Sequence, residues 1–447
     1  MAAFRSRRLE AQLGANLDDL DHGHVAGLVT GQVPEAFDLD YKSQLYGGTD
    51  KDRRDLATDV AALANTAGGL LILGVEEDNQ AQACAIPGVD ISDTQQRRIV
   101  QIVGGGVLPL PVVEVKPLEE PGRPGHGVLV IAVPRSPLAP HAVIVNDGLR
   151  YPLRSGSTTR YLTEPEVADA YRRRFASSVD RLERAQLIEK EAVARLDTDR
   201  AEWLVVSIVP DFPGEYVVDL PARNAFQAEI VNTSPAVIPY GLTWTRASVG
   251  RRRLLADGAT GDDPRARYLS SELHDDGAGV FAAVVAEERR DPVSGATPPL
   301  SIGDEAAVNV VMSGLRFLGS HARDRAAATG DALVRVFIYP MNPRRQIMLS
   351  HGRFHGVEQQ LGAHILTGPE NPAERVLPLD SIATAGPELL SASYLLLTEL
   401  FQAFGWPEVV QVTREGVLRR RYWNAQLQGT VVRWAELHGI EVTDETV

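Results

Sequence analysis

The stretch from Glu35 to Glu77 constrains the fold more than any other part of this sequence. Residues 38–45 alternate in polarity, which indicates a strand that carries Asp40 and Lys42 on the same face. A helix with one apolar face follows, the segment ALANTAGG ends it, and the apolar run LLILGV indicates a strand buried on both faces. The stretch therefore predicts a strand–helix–strand unit with acidic residues on both strand segments.

Two glycine-rich segments are candidates for phosphate-binding loops. Gly68 and Gly69 close the ALANTAGG segment, and residues 104–106 are consecutive glycines. The P-loop pattern GxxxxGK[ST] is absent, and both segments follow a predicted helix, where glycine tolerates the positive φ of a helix terminus. We therefore interpret both as turns, and we expect residues 104–106 to end a helix that begins near Ser92.

Three acidic residues of the opening stretch are predicted to converge. Glu35 approaches Asp40 from a bend after Pro34, and the glycine turn brings Glu77 back toward them. Converging carboxylates are what a divalent-metal phosphodiesterase needs, and Lys42 would offset charge on a bound phosphate. The alternative is a nucleic-acid-binding or partner-binding fold in which these carboxylates are only surface charge.

A second candidate site lies in the segment GLRYPLRSGSTTR. Arg150, Arg154 and Arg160 stand there among serine and threonine residues, and guanidinium and hydroxyl groups suit phosphate oxygens. The segment predicts a local anion-binding patch for nucleic acid. A solvated hairpin with ordinary surface arginines explains the same pattern, and the sequence leaves both interpretations open.

Net charge limits the classes of ligand. The 447-residue chain carries a net charge of −14, which argues against tight binding of a polyanion along its whole surface. Any contact with nucleic acid must therefore come from a local basic patch. Arginine supplies nearly all the positive charge, which we attribute mainly to the base composition of a GC-rich bacterial genome.

Cysteine and histidine usage limits the classes of metal site. Cys84 is the only cysteine, so disulfides and cysteine-based zinc sites are excluded within one chain. His351, His355 and His364 follow a predicted strand, and Gly352 disfavours the helix on which a four-residue spacing binds metal, so we expect no site there.

The sequence also predicts the compartment and the domain organisation. No segment is long enough for a membrane span and the first residues lack the apolar core of a secretory signal, so we expect a cytoplasmic protein without membrane contact. The fold class is α+β. The predicted regions are an N-terminal helical segment at 1–24, a first domain at 25–175, a connector helix at 176–200 and a second α+β domain of open role at 201–447.

The first domain resembles the Schlafen AlbA_2 family over roughly residues 25–175. The resemblance rests on ordered motifs, which are Glu35 followed by Asp40-Tyr41-Lys42, then ALANTAGG, LLILGVEED, Pro140-His141 and YPLRSGSTTR before a helix. It implies a mixed sheet with flanking helices and the binding of nucleic acid.

The resemblance also implies site residues and a partner. Animal Schlafen cores that cut tRNA or rRNA use three carboxylates, which fall on Glu35, Asp40 and Glu77 and would hold Mg²⁺ or Mn²⁺. Asp40 stands where Glu is usual and Glu77 where Asp is common, so each carboxylate is displaced by about one methylene. The zinc site of animal relatives is not expected. Animal cores pair two lobes around a basic groove, and the single lobe here implies a homodimer.

Two hypotheses about function remain open. The first is a metal-dependent endoribonuclease or nuclease acting on tRNA or single-stranded nucleic acid. In it, Glu35, Asp40, Glu77 and Lys42 carry out catalysis, and the three arginines hold the backbone. The second is a non-catalytic DNA- or RNA-binding regulator whose C-terminal domain senses a signal or binds a partner.

Overall fold

The computed structural model describes residues 6–15, 17–146, 148–199, 201–237, 242–259, 267–287, 300–340, 347–351, 359–363 and 370–445. The chain divides into an N-terminal unit, Met1–Val179, and a C-terminal unit, Asp180–Val447. Helices and strands are mixed in both units, which confirms the predicted α+β class. No helix in the described ranges has the length and apolar character needed to cross a membrane.

The elements of the N-terminal unit follow one another in this order: α1 (Arg7–Leu13), a 3₁₀ turn (Leu17–Asp19), α2 (His22–Thr30), β1 (Leu39–Lys42), α3 (Asp50–Asn65), β2 (Gly68–Leu73), β3 (Glu76–Glu77), β4 (Ala83–Ala85), β5 (Val89–Asp90), α4 (Asp93–Gly106), β6 (Val107–Leu108), β7 (Glu114–Glu119), β8 (His126–Pro134), β9 (Ala142–Val145), β10 (Gly148–Arg150), β11 (Pro152–Ser155), β12 (Thr158–Tyr161) and α5 (Glu164–Val193).

A mixed sheet forms the centre of this unit. Its strands run in the order β1-β2-β8-β5, and β7 also pairs with β8. The pair β1–β2 is parallel and places Asp40 beside Leu71, whereas β8 is antiparallel to its neighbours. Helices α3 and α4 pack on one face through Leu56 and Ile99, and α1 and α2 pack on the other. The predicted mixed sheet with flanking helices is therefore present.

Strand β1 has the predicted alternation because its two faces meet different surroundings. Leu39 and Tyr41 lie in the apolar cluster with α1 and α2, and each is 1% exposed. Asp40 and Lys42 point to the side covered by α3. Burying an apolar side chain of this size contributes about 2 kcal/mol, so a one-residue slip of register would be strongly unfavourable.

Two helices differ from the sequence prediction. Helix α4 continues through residues 104–106 instead of ending before them, and Val107 N–H closes its last turn on the Val103 carbonyl. A Cβ at Gly106 would lie 3.0 Å from the Ala57 Cβ, so this glycine permits close approach of α3 and α4. The predicted final helix of the first domain and the connector helix form one continuous element, α5.

The elements of the C-terminal unit follow in this order: β13 (Ala201–Phe212), α6 (Leu220–Asn232), β14 (Arg246–Gly250), β15 (Arg253–Ala259), β16 (Arg267–His274), β17 (Gly279–Glu287), β18 (Leu300–Gly303), α7 (Asp304–Ser320), a π-helical turn (His321–Arg325), β19 (Thr329–Tyr339), β20 (Ile347–His351), β21 (Gln359–Ala363), β22 (Ala373–Pro378), α8 (Leu379–Ala383), α9 (Pro387–Gln402), β23 (Leu418–Arg419), a 3₁₀ turn (Arg420–Tyr422), α10 (Ala425–Leu437) and β24 (Val442–Thr443).

The C-terminal unit is built on an antiparallel sheet with the strand order β14-β15-β16-β17-β13-β19-β22. Helix α7 is apolar on most of its surface, and its central residues are buried against one face of this sheet. A smaller sheet, in the order β18-β20-β21, leads into α7. Because β18 and β20 are parallel, their C-terminal ends meet at the same edge.

Candidate functional site

The turn between α3 and β2 explains the ALANTAGG motif. Asn65 Nδ2 donates to the carbonyl oxygens of His141 (2.9 Å) and Pro152 (2.8 Å), and its Oδ1 accepts from the His141 N–H (2.6 Å). Gly69 has a φ of +157°, and a Cβ there would lie 2.3 Å from the Asp38 carbonyl oxygen. The motif therefore joins three chain segments and seats β2 directly beside β1.

Asp40 is the centre of a buried charge cluster. Its side chain is within 2.8 Å of Lys42 Nζ through Oδ2 and within 3.0 Å of Arg154 Nη1 through Oδ1. Burial alone would raise the pKa of Asp40, but Lys42, the hydrogen bond from Glu35 and Arg154 together hold the pKa below its ordinary value. Asp40 is therefore ionised at neutral pH and neutralised by two cations.

Glu35 shares this cluster and holds a proton. Its Oε1 accepts from the Tyr41 N–H at 2.8 Å, and its carboxyl group is in hydrogen-bonding contact with Asp40. Burial, followed by the hydrogen bond to Asp40 and the charge of Asp40, raises the pKa of Glu35 to about 8. At neutral pH the protonated Glu35 therefore donates to the ionised Asp40.

Asp59 belongs to the same cluster, and the sequence analysis did not single it out. It lies on α3, and the Tyr46 hydroxyl donates to its Oδ2 at 2.6 Å. Burial and the charge of Asp40 raise the pKa of Asp59, and Lys42 opposes them. The available signal was its position three residues after Leu56, which places an acid on the apolar face of the helix.

The structure does not bring Glu77 to the other two predicted metal ligands. Its hairpin adjoins the Glu35 segment, since Glu35 N–H donates to the Ala81 carbonyl at 2.7 Å. The Glu77 side chain is nevertheless exposed and, within the described residues, has no hydrogen bond or ion pair with Glu35 or Asp40. In that part of the chain, ligand atoms of the three residues do not lie within 4.8 Å of one another.

These residues, as arranged, do not fit a divalent cation. Both Asp40 oxygens already face cations, Glu35 is protonated, and Glu77 is separate from them. The Mg²⁺ or Mn²⁺ site formed by these three carboxylates stays a prediction.

The predicted patch of three arginines is divided between the interior and the surface. Contrary to the expectation of an exposed cation, Arg154 is only 5% exposed, because its guanidinium pairs with Asp40 and donates to the Ala36 carbonyl at 2.9 Å. Arg160 is at the surface and pairs with Glu166 at 2.8 Å. Arg150 is exposed on β10. Arg154 therefore supports β1, and the other two remain available to solvent.

A cavity of about 530 Å³ lies between α3, α4 and β9. Its lining residues are Asp50, Arg53, Arg54, Ala57, Arg98, Gln101, Ile102, Gly105, Gly106, Val143 and Ile144. Arg150 stands opposite the lining residue Val143 in the β9–β10 pair and does not itself line the cavity. We call the surface formed by Arg53, Arg54 and Arg98 the basic cleft.

Two of these arginines have positions set by neighbouring groups. Arg54 Nη1 donates to Asn146 Oδ1 at 3.3 Å, and Arg98 Nη1 donates to the Tyr46 carbonyl at 2.9 Å. Arg53 is exposed at the start of α3. The sequence pattern did not indicate this cleft, because arginines in the first turns of a helix are usually solvated surface charge.

Comparison with known proteins identifies one domain. The Schlafen AlbA_2 family model matches residues 35–163. No curated protein sequence matches the chain. Similar solved structures include the DIP2311 protein from Corynebacterium diphtheriae, at 21% identity and a TM-score of 0.24, covering 37% of this chain and 29% of that one. They also include the N-terminal domain of a RecG-related ATP-dependent DNA helicase protein from Nitrosomonas europaea, at 20% identity and a TM-score of 0.22, covering 30% of this chain and 89% of that one.

The match and the geometry concern the same part of the chain. This chain spans 29% of the length of the Corynebacterium protein. The region matched by the family model, residues 35–163, contains both the Asp40 cluster and the basic cleft. Residues 35–163 are a Schlafen AlbA_2 domain.

Proposed function

We propose that the Schlafen AlbA_2 domain binds nucleic acid through the basic cleft. The observation that carries this proposal is a cavity of about 530 Å³ lined by Arg53, Arg54 and Arg98 in a chain whose net charge is −14. Guanidinium groups match phosphate oxygens in charge and in hydrogen-bond geometry. The family resemblance implies the same class of ligand.

The lining of the cleft favours a single-stranded segment over a regular duplex. Ile102 and Ile144 lie on the same surface as the arginines and offer apolar contact to a sugar or an unstacked base. Single strands and the loops of tRNA expose such bases, whereas a duplex presents mainly phosphates to a narrow cavity. Single-stranded RNA, single-stranded DNA and tRNA are therefore the ligands to compare.

Fluorescence anisotropy with labelled single-stranded RNA, single-stranded DNA, tRNA and duplex DNA tests this proposal. The double variant Arg53→Ala/Arg54→Ala removes two phosphate contacts, so affinity for a single strand falls and the salt slope decreases by roughly 1.4. The matched control Arg97→Ala/Arg123→Ala removes two exposed arginines outside the cleft. Equal binding by the two double variants would place the interface elsewhere.

We propose phosphodiester cleavage as a second candidate function, favoured by the protonated Glu35. When water or a ribose 2′-hydroxyl attacks the phosphorus and loses its proton to solvent, the bond to the leaving oxygen breaks. A carboxylic acid that keeps its proton near neutral pH can give that proton to the departing oxygen. The neighbouring Lys42 side chain is 35% exposed, so its ammonium group can offset charge on a phosphate. Binding without cleavage would instead support the alternative, a non-catalytic DNA- or RNA-binding regulator.

Cleavage assays on tRNA and single-stranded RNA with Mn²⁺, with Mg²⁺ or with EDTA separate these possibilities. Glu35→Gln keeps the size of the side chain but cannot act as an acid, so we expect cleavage to fall about 100-fold or more. Glu77→Gln is the matched comparison and should leave cleavage unchanged if Glu35 and Lys42 act alone. An equal loss of cleavage activity in both variants, together with a requirement for Mn²⁺ or Mg²⁺, would instead support the predicted three-carboxylate metal site.

A further inference from the structure

A separate polar cluster lies in the C-terminal unit, where β18 leads into α7. Asp304 and Glu305 are the first residues of α7, and His351 is the last residue of β20. Because β18 and β20 are parallel and Gly303 pairs with Ser350, the two strands end side by side. The three side chains therefore meet at one edge of the small sheet.

The donor atoms of this cluster are close enough to share an ion. Asp304, Glu305 and His351 each offer one ligand atom, and these atoms lie within 4.8 Å of one another. Two donors bound to one ion at about 2.0–2.4 Å cannot be more than about 4.8 Å apart. His351 Nδ1 lies 2.8 Å from Asp304 Oδ2, a separation typical of neighbouring ligands as well as of a hydrogen bond. The cluster therefore already has the donor spacing that a shared ion requires.

A fourth side chain points into the cluster from a distant part of the chain. Gln411 is fully buried, and its Nε2 donates to Asp304 Oδ2 at 2.6 Å. The Gln411 Oε1 atom is also buried, and it has no hydrogen-bond partner among the described residues. Turning the amide by 180° exchanges its oxygen and nitrogen, which would place this oxygen 2.6 Å from Asp304 Oδ2, where a cation could bridge the two oxygens.

Glu305 also carries a buried oxygen that has no hydrogen-bond partner among the described residues. Its side chain is 6% exposed, and the Asn424 backbone N–H donates to its carboxylate. The Oε1 atom is buried without a partner in the described part of the chain. An unsatisfied buried acceptor is unfavourable, and the two residues that carry such oxygens, Glu305 and Gln411, both neighbour the Asp304 carboxylate. A cation between them would satisfy both oxygens at once.

We propose that Asp304, Glu305 and His351, with the Gln411 amide oxygen, bind one divalent transition-metal ion. Carboxylate and amide oxygens alone would suit Mg²⁺ or Ca²⁺, but the imidazole ligand shifts preference toward Zn²⁺ or Mn²⁺. The site contains no cysteine, so the single Cys84 has no bearing on it. It is also independent of the basic cleft, because its residues belong to the C-terminal unit.

The sequence predicted no metal site at these histidines, whereas the proposed site includes His351 with a different set of ligands. The spacing of His351 and His355 gave no metal site, and His355 and His364 lie outside the described residues. The partners of His351 in the proposed site come from positions 47 and 60 residues away along the chain, at Asp304 and Gln411. No local spacing rule connects them.

Isothermal titration calorimetry of the full chain with Zn²⁺, Mn²⁺ and Mg²⁺ tests the proposal. We expect one Zn²⁺ per chain, with a Kd about tenfold or more below that for Mg²⁺ and with Mn²⁺ intermediate. At an ion concentration about 100 times the Kd, the tryptophan-detected Tm should rise by about 5 °C. All five tryptophans lie in the C-terminal unit, so this signal reports the right part of the chain.

Glu305→Gln is the informative variant, because it keeps the side-chain size and removes only the charge. We expect the variant to fold without metal, to lose at least tenfold in Zn²⁺ affinity and to show at most about half of the wild-type Tm increase at the same Zn²⁺ concentration. His126→Ala is the matched control, since His126 also faces a carboxylate, that of Glu120, at 2.9 Å. Zn²⁺ binding that is equal in wild type and Glu305→Gln, or no stronger than Mg²⁺ binding, would overturn the proposal.

Discussion

The substitution Glu35→Gln tests the charge cluster without reference to any ligand. The pKa of Glu35 is raised from 4.5 to about 8 in the folded chain, so the folded state keeps a proton that the unfolded chain loses above pH 4.5. The stabilising contribution of this proton is fully present below pH 4.5 and is lost as pH rises through 8. Glutamine is neutral throughout, so the variant should lack this part of the pH dependence.

The expected magnitude follows from the same two pKa values. A change from 4.5 to about 8 corresponds to at most roughly 5 kcal/mol of pH-dependent stability. Glu35 is only half-buried, so solvent screens its interactions and we expect about 2 kcal/mol between pH 5 and pH 8.5. Relative to wild type, Glu35→Gln should therefore become more stable by about 2 kcal/mol over this range.

Differential scanning calorimetry combined with tryptophan fluorescence measures this effect. All five tryptophans lie in the C-terminal unit, so a calorimetric transition without a fluorescence change belongs to the N-terminal unit. Glu166→Gln is the control. Its pair with Arg160 and its hydrogen bonds lower the pKa of Glu166 to about 2, so that group no longer titrates above pH 5. If Glu35→Gln and wild type share one pH profile, Glu35 does not hold a proton in the folded chain.

Three further predictions concern the framework and assembly of the N-terminal unit. Gly69→Ala should cost more than about 1 kcal/mol of its stability, because the new Cβ would meet the Asp38 carbonyl oxygen, and calorimetry measures the loss. Arg154→Met should cost about 3–5 kcal/mol in a urea titration, since it leaves the buried Asp40 with one cation. Arg150→Met, at an exposed arginine, is the control variant. An equal loss of stability in the two variants would contradict the role of Arg154 as an internal partner of Asp40. The homodimer implied by the family resemblance predicts twice the chain mass in light scattering, and a monomer at high concentration would exclude it.

The local elements around the site could be predicted from sequence because their causes are local. A side-chain period of two placed Asp40 and Lys42 on one face of β1, and the distance of 2.8 Å between Lys42 Nζ and Asp40 Oδ2 agrees. The bend after Pro34 correctly brought Glu35 to Asp40. ALANTAGG was correctly interpreted as a turn, although the reason for its asparagine was not visible. That residue makes its hydrogen bonds to segments more than seventy residues away.

The behaviour of the glycines at residues 104–106 shows where local propensity fails. Each glycine costs about 1 kcal/mol in a helix interior, which favoured a break. Ile99 and Val103 are buried earlier in α4, and Gly106 lies against Ala57, so packing keeps the helix intact to its last turn. The missing side chains also leave room for the cavity of the basic cleft, whose lining includes Gly105 and Gly106.

By itself, the sequence determined most elements of the domain, the face of β1 on which Asp40 and Lys42 lie, and the match of residues 35–163 to a family. Only the tertiary structure decided that Arg154 is an internal partner of Asp40, that Glu77 remains apart, and that Arg53, Arg54 and Arg98 share a cavity. It also decided which carboxyl group of the Glu35–Asp40 pair holds the proton. The physical reason is that periodicity and turn chemistry act over a few residues. Burial and charge pairing instead depend on contacts between segments about a hundred residues apart, as between Asp40 and Arg154.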